Sequence, residues 1–95
     1  MGLDVKAKAV NGAVNCGVVS VILRRPNPFR TVLTITNDSD TVVYLHYADQ
    51  AVLNSGIRLN AGGGVHEINS TNLYRGIISA ITTAANKVLT FIEVE

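Results

Sequence analysis

Apolar and polar residues alternate along much of this chain, and the alternation predicts β-strands. Residues 3–9 follow a period of two, and the same period runs from Arg30 to Thr36, with Leu33 and Ile35 on one face. β-Branched residues are frequent, and no window of helical length keeps an apolar face free of Gly, Asn or Thr. The pattern therefore predicts an all-β chain.

Turn-forming residues divide this pattern. Asn11-Gly12 is a typical hairpin turn and predicts that the first strand pairs with a second one over residues 14–23. Pro26 and Pro28 must end that second strand, because a proline cannot donate to a β-ladder. The side chains of Asn37 to Asp40 favour turn geometry and predict a hairpin loop into a strand over residues 42–47.

The second half of the chain continues in short elements. Residues 48–54 predict one or two helical turns that stop near Gly56, and strands are expected over 57–59, 65–68, 74–82 and 87–94, with a tight reversal at residues 60–64. The last two strands are apolar on both faces, so they lie centrally in a sandwich or are covered by a neighbour. About eight short strands predict a single small β-sandwich or jelly-roll-like domain. Residues 1–26 form an N-terminal hairpin or arm in this scheme, and residues 27–95 form the core of the same domain.

Composition favours association with other chains over chemistry. The 95 residues make one small domain, with 47% apolar and only 16% charged residues, which indicates that some apolar surface is buried against other chains. A net charge of +1 without basic clusters argues against direct nucleic-acid binding. The sequence shows neither an apolar run of about 20 residues nor the pattern of a signal peptide, so we expect a soluble protein without membrane contact.

Several residues resemble parts of chemical sites without completing one. Asp38 and Asp40 fit the first positions of a calcium loop, but the glycine bend and the terminal glutamate of that loop are missing, so a turn is expected, with Asp40 accepting bonds from nearby amides. His46 and His66 could join Asp49 or Glu67 in a metal cluster only if the fold brought them together, so we interpret them as structural or surface residues.

The remaining candidates also favour structural roles. The single Cys16 is expected to be a buried apolar residue, and the glycines of residues 62–64 precede a strand instead of the helix that a phosphate loop requires. The sequence therefore predicts no enzyme, no catalytic or metal-binding residues and no cofactor.

One segment is a candidate for contact with a partner. Arg24, Arg25, Phe29 and Arg30 place three guanidinium groups and an aromatic ring on a proline-stiffened connection. Such a segment loses little entropy on docking, and arginine pairs well with carboxylates of a partner. The alternative is a solvated connector, and the sequence does not decide between the two.

The order of these motifs resembles a family of small virion proteins from tailed bacteriophages. The resemblance covers about residues 27–95 and is carried by NPFR at 27–30, LTITNDSD at 33–40, VYL at 43–45, AVLNSGIRLNAGG at 51–63, LYRG at 73–76 and the closing strand at 89–93. Residues 1–26 depart from the shorter N-terminal segments of that family.

The resemblance implies a capsid decoration, or cement, protein that lies on the virion surface. Its partners would be the major capsid protein and further copies of itself, with a homotrimer favoured. A head-to-tail connector or tail component is the first alternative. A carbohydrate-binding module is the second, and it would require exposed aromatic rings.

Overall fold

The computed structural model describes residues 8–95 and contains eight β-strands. The strands are β1 (Ala9–Cys16), β2 (Val21–Arg24), β3 (Val32–Asn37), β4 (Val43–His46), β5 (Ile57–Leu59), β6 (Gly64–Ile68), β7 (Ile78–Thr82) and β8 (Lys87–Val94).

The strands form two four-stranded antiparallel sheets that pack face to face. Sheet A has the order β1-β8-β3-β6, and sheet B has the order β2-β7-β4-β5. The first strand thus pairs with the last, the second with the seventh, the third with the sixth and the fourth with the fifth. This nested pairing is the arrangement of a jelly roll, and it confirms the predicted all-β sandwich.

The core lies between the sheets and follows from the period of two. Along β3 the side chains of Leu33 and Ile35 are fully buried, whereas those of Val32, Thr34 and Thr36 point outward and are partly exposed. β7 is buried over most of its length, and its inward residues Ile78 and Ala80 belong to the core between the sheets. β7 and β8 are both central strands, as their two-sided apolar pattern predicted.

The predicted turn at Asn11-Gly12 is wrong. Both residues lie inside β1, which pairs with β8 in continuous register from Ala9 to Cys16. Gly12 is required there for space, because a Cβ atom at this position would lie 2.7 Å from Cζ of Phe91. β1 and β2 therefore do not form a hairpin, and they belong to opposite sheets.

Two further predictions are wrong: the helical turns over residues 48–54 and the hairpin after Asn37. Residues 47–56 form bends and turns without helix, and Asn54 and Gly56 adopt positive φ angles there. The loop after Asn37 is a turn but not a hairpin, since β3 lies in sheet A and β4 in sheet B. Among the described strands, β4 and β5 are the one consecutive pair that shares a sheet. The part of the strand predicted over 74–82 that forms is Ile78–Thr82.

Candidate functional site

The four residues of the predicted contact segment separate into an inward pair and an outward pair. Arg30 is fully buried and Arg24 is largely covered, and both reach the carboxylate of Glu93 on β8. Arg25 and Phe29 are exposed, with 69% of Phe29 accessible. The segment is thus attached to the sandwich by two of its arginines.

Arg30 closes one end of the sandwich. Its Nε donates to Oε2 of Glu93 at 2.6 Å, and its two terminal nitrogens donate to the backbone carbonyls of Tyr74, Gly76 and Arg25 at 2.9–3.1 Å. One guanidinium group therefore ties the segment after β2 and the segment before β7 to the last strand. A fully buried side chain offers no surface to a partner, so the structure gives Arg30 an internal role.

Arg24 completes the charge cluster. Its Nη2 donates to Oε1 of Glu93, and its guanidinium group lies over the ring of Phe91, 4.4 Å from the centroid. Burial alone would raise the pKa of Glu93, but the bonds from Arg24 and Arg30 outweigh burial and hold its pKa below the usual value. The carboxylate is therefore ionised in the folded chain at neutral pH.

The exposed half of the segment is held in a fixed shape. Oδ1 of Asn27 accepts the backbone N–H of Phe29 at 3.0 Å, and the backbone N–H of Asn27 donates to the carbonyl of Arg75 at 2.9 Å. Phe29 is thereby presented to solvent on an ordered bend. This geometry suits a contact residue, and the predicted partner role of Arg25 and Phe29 stays a prediction.

The turn between β3 and β4 is held mainly by the side-chain amide of Asn37, and the carboxylates of Asp38 and Asp40 have a minor role. Asn37 is fully buried, and its Nδ2 donates to the carbonyls of Thr41 and Leu59 at 2.8 and 3.0 Å, while its Oδ1 accepts from the N–H and hydroxyl of Ser39. Asp40 accepts from Lys87 at 2.6 Å and from the hydroxyl of Thr41, and the Lys87 bond is the main reason that its pKa lies below the usual value. Within residues 8–95, no three metal-ligating side chains come together.

The two histidines are engaged separately. Nε2 of His46 lies 3.2 and 3.0 Å from the carbonyls of Val52 and Ser55, so it donates to the loop that follows β4. Nε2 of His66 lies 2.7 Å from the hydroxyl of Tyr47, and burial lowers the pKa of His66. Each histidine thus stabilises a local contact.

Cys16 lies in the core, as predicted from its single occurrence. It is 2% exposed, and burial raises the pKa of its thiol to about 11. The thiolate, which is the reactive form of cysteine, is therefore scarce at neutral pH.

Most of the aromatic rings are engaged within the chain. Tyr47 and Tyr74 stack on each other with centroids 4.0 Å apart, Phe91 is buried, and the hydroxyl of Tyr44 donates to Asn54. Phe29 alone among these rings is mostly exposed.

The outer face of sheet A is the surface that sequence reasoning missed. Its side chains are almost all uncharged, and Glu67 on the edge strand β6 is the one exception among them. Ile92 is 46% exposed at its centre, with Asn11 and Thr34 as its cross-strand neighbours. The face consists of Ala9, Asn11, Ala13, Asn15, Val32, Thr34, Thr36, Val65, Glu67, Val88, Thr90, Ile92 and Val94.

A depression of about 280 Å³ lies on this face, lined by residues of β1, β3 and β8. Its lining includes the outward residues Asn11, Thr34, Thr36, Thr90 and Ile92. The sequence signal for the face was present: the outward positions of β3 and β8 are Val, Thr and Ile, where a solvated strand carries charged residues.

No protein-family model, no curated protein and no solved structure matches this chain. The part of the chain that the structure describes contains no helix that is long and apolar enough to cross a membrane.

Proposed function

We propose that this chain is a capsid decoration protein, a virion component that binds the head shell of a tailed bacteriophage at junctions between major capsid subunits. The observation that carries the proposal is the outer face of sheet A, where a central strand of the sandwich exposes Ile92 among uncharged neighbours. The exposed apolar side chains on this face, Ile92 and Val65 among them, support a contact with another protein.

Two further features support the proposal. The resemblance of residues 27–95 to small virion proteins points to a particle component, and the jelly-roll arrangement is one that viral shells use repeatedly. Because one fold serves many functions, the fold adds only an analogy, and the surface carries the specific part of the proposal.

A decoration protein stabilises a shell by mass action. If it binds the assembled, expanded shell more tightly than separate subunits, each bound copy shifts the equilibrium toward the assembled state. Weak contacts suffice when they are repeated across a lattice. The outer face fits this role because burying it desolvates almost no charged groups, although its Asn and Thr side chains need hydrogen-bond partners in the contact.

Sedimentation with purified heads of the phage that encodes the chain tests the proposal. Wild-type protein is expected to pellet with expanded heads but to leave unassembled capsid subunits in solution. Since the face carries little charge, the binding should persist at high salt. Absence of binding to heads at any salt concentration would overturn the proposal.

A pair of variants tests the face. Ile92→Lys places a charge at its centre and is expected to abolish pelleting. Val52→Lys is the matched control, because Val52 is 58% exposed on the loop between β4 and β5, away from sheet A, and this variant should pellet like wild type. Equal pelleting of both variants would exclude the outer face of sheet A as the contact.

A further inference from the structure

The four edges of the two sheets differ in how they are protected. The edges are β1 and β6 in sheet A and β2 and β5 in sheet B. An edge strand leaves backbone N–H and C=O groups unpaired, and natural proteins protect such strands by short length, charge or bulges.

Three of the edges carry these protections. β5 has three residues and includes Arg58, and β6 has five residues and includes Glu67. β2 has four residues, includes Arg24, and shifts its register to β7 between Ile22 and Arg24. Each of these edges is a poor template for a further strand.

β1 has none of these protections. It is eight residues long, its sequence AVNGAVNC has no charged residue and no proline, and it pairs with β8 without a register shift. Among residues 8–95, it has a strand neighbour on one side only. Val10 points toward the space between the sheets, yet it remains 48% exposed at this open edge.

We propose that β1 pairs antiparallel with β1 of a second copy of this chain, around a two-fold axis at Gly12. The contact joins the two copies of sheet A into one continuous eight-stranded sheet. The outer faces of sheet A from the two copies then lie next to each other on the same side of the dimer.

The charge pattern selects a second copy as the occupant. A two-fold contact sets a strand against itself, so any charged residue near the axis meets its own like charge. Self-pairing about the strand centres would set Arg58 against Arg58 at β5 and bring the two Glu67 side chains to diagonal positions at β6. β1 alone among the four edges avoids this repulsion, because it has no charge to oppose.

The side-chain pattern is also self-complementary. Paired residues of antiparallel strands point to the same side of the sheet, so inward residues of one copy must pair with inward residues of the other. With Gly12 at the axis, Val10 of each copy lies opposite Val14 of the other. Each partly exposed valine then gains an apolar cross-strand neighbour.

A charge-swap experiment in analytical ultracentrifugation tests this contact. The wild-type chain is expected to sediment as a dimer, and Ala13→Lys and Ala13→Glu are each expected to sediment as monomers. With Gly12 at the axis, residue 13 lies opposite Asn11 of the other copy and diagonal to residue 13 of that copy. An equimolar mixture of the two variants should regain the dimer, because opposite charges then lie at diagonal positions that long side chains can bridge. Ala13 is exposed and points outward, so both variants should keep the circular dichroism spectrum of the folded wild-type chain.

Val65→Lys is the matched control. Val65 is an exposed outward residue on the other edge of sheet A, and its substitution should leave the dimer intact. A wild-type monomer, a wild-type trimer or a variant mixture that stays monomeric would overturn the proposal. Capture of an unrelated extended peptide by a monomeric wild-type chain would also overturn it. The experiment uses no capsids, so its outcome is independent of the proposed decoration function.

The proposed contact is two-fold, whereas the family resemblance implies a trimer. Sedimentation separates the two arrangements directly, since their masses differ by half. A dimer would mean that this chain departs from the family pattern in its assembly as well as in residues 1–26.

Discussion

Glu93 lies on the inward side of β8, two residues after the buried Phe91, at a position where the strand pattern expects an apolar side chain. It is 2% exposed and accepts bonds from two guanidinium groups. A buried charge of this kind is tolerated only with a partner, so Glu93 and Arg30 depend on each other.

Replacing Glu93 with Gln should therefore destabilise the fold strongly. The change leaves the fully buried guanidinium group of Arg30 without a counter-ion, and we expect a loss of about 3–5 kcal/mol in the free energy of unfolding. Urea unfolding followed by circular dichroism measures this loss. Glu67→Gln is the control, since Glu67 is exposed and its removal should cost less than about 0.5 kcal/mol. Similar losses in the two variants would contradict the role given to Glu93.

The same carboxylate predicts a loss of stability in acid. The pKa of Glu93 is lower in the folded chain than the value of about 4.3 for a free glutamate, so the unfolded chain binds more protons in this range. The stability that ionised Glu93 contributes is complete above the pKa of a free glutamate. It is lost as the pH falls through the lower pKa that Glu93 has in the folded chain. The free energy of unfolding should therefore fall less steeply below pH of about 4.3 in Glu93→Gln than in wild type. Parallel pH profiles would show that Glu93 is not the group responsible.

At the scale of elements, the connection from β3 to β4 depends on Asn37. Its side chain makes four hydrogen bonds in a fully buried position and reaches the end of β5 through the carbonyl of Leu59. Asn37→Ala should cost about 2–4 kcal/mol, because it leaves buried donors and acceptors without partners. Asp38→Ala is the neighbouring control and should be close to neutral, since Asp38 is exposed. Thermal unfolding of the two variants checks this prediction, and an equally harmless Asn37→Ala would contradict it.

The centre of β1 depends on a glycine fitted to a ring. A Cβ atom at residue 12 would overlap Phe91, so Gly12→Ala should cost about 1–3 kcal/mol. Phe91→Leu removes the ring atoms concerned, and the double variant should be more stable than the sum of the two single losses predicts. Chemical denaturation of all four proteins measures the coupling. Additive losses would mean that the ring is not what excludes a side chain at residue 12.

Local pattern located the strands of the second half of the chain better than those of the first. The predicted first strand over 3–9 lies mostly outside the described residues, and the predicted strand over 14–23 is divided between β1 and β2. β8 begins and ends at the predicted residues, and the alternation of β3 placed Leu33 and Ile35 on one face, which the structure buries. Turn chemistry was less informative. It predicted a reversal after Asn37, but a reversal does not show whether the next strand joins the same sheet or the opposite one.

Contacts between distant residues were not predictable from local pattern. Arg30 follows Pro28 in a polar connection and was expected at the surface, yet its partner Glu93 lies 63 residues away. The sequence around Glu93 did contain a signal. Leu89, Phe91 and Glu93 are alternate residues of β8, so a strand that buries the first two also buries the carboxylate of Glu93. An inward carboxylate in an apolar strand requires a buried cation, and residues 24–30 contain three arginines.

At the scale of the molecule, the nested strand order places β1 beside β8. The open edge of β1 therefore adjoins the outer face of sheet A, and both are exposed for contacts. The open edge is the proposed contact between copies, and the uncharged face is the proposed contact with a shell. Two copies joined through β1 would present one continuous face, and binding through two linked faces strengthens attachment without new kinds of contact.

The copy number of this chain in purified virions tests the decoration proposal most directly, and it also separates a decoration protein from a connector. Quantitative mass spectrometry against the major capsid protein is the measurement. The account predicts on the order of hundreds of copies per particle, because a closed symmetric shell repeats each junction many times. About a dozen copies or fewer would indicate a connector or tail component, because such a component occupies a single position in the particle. Either that result or the absence of the chain from virions would contradict the account.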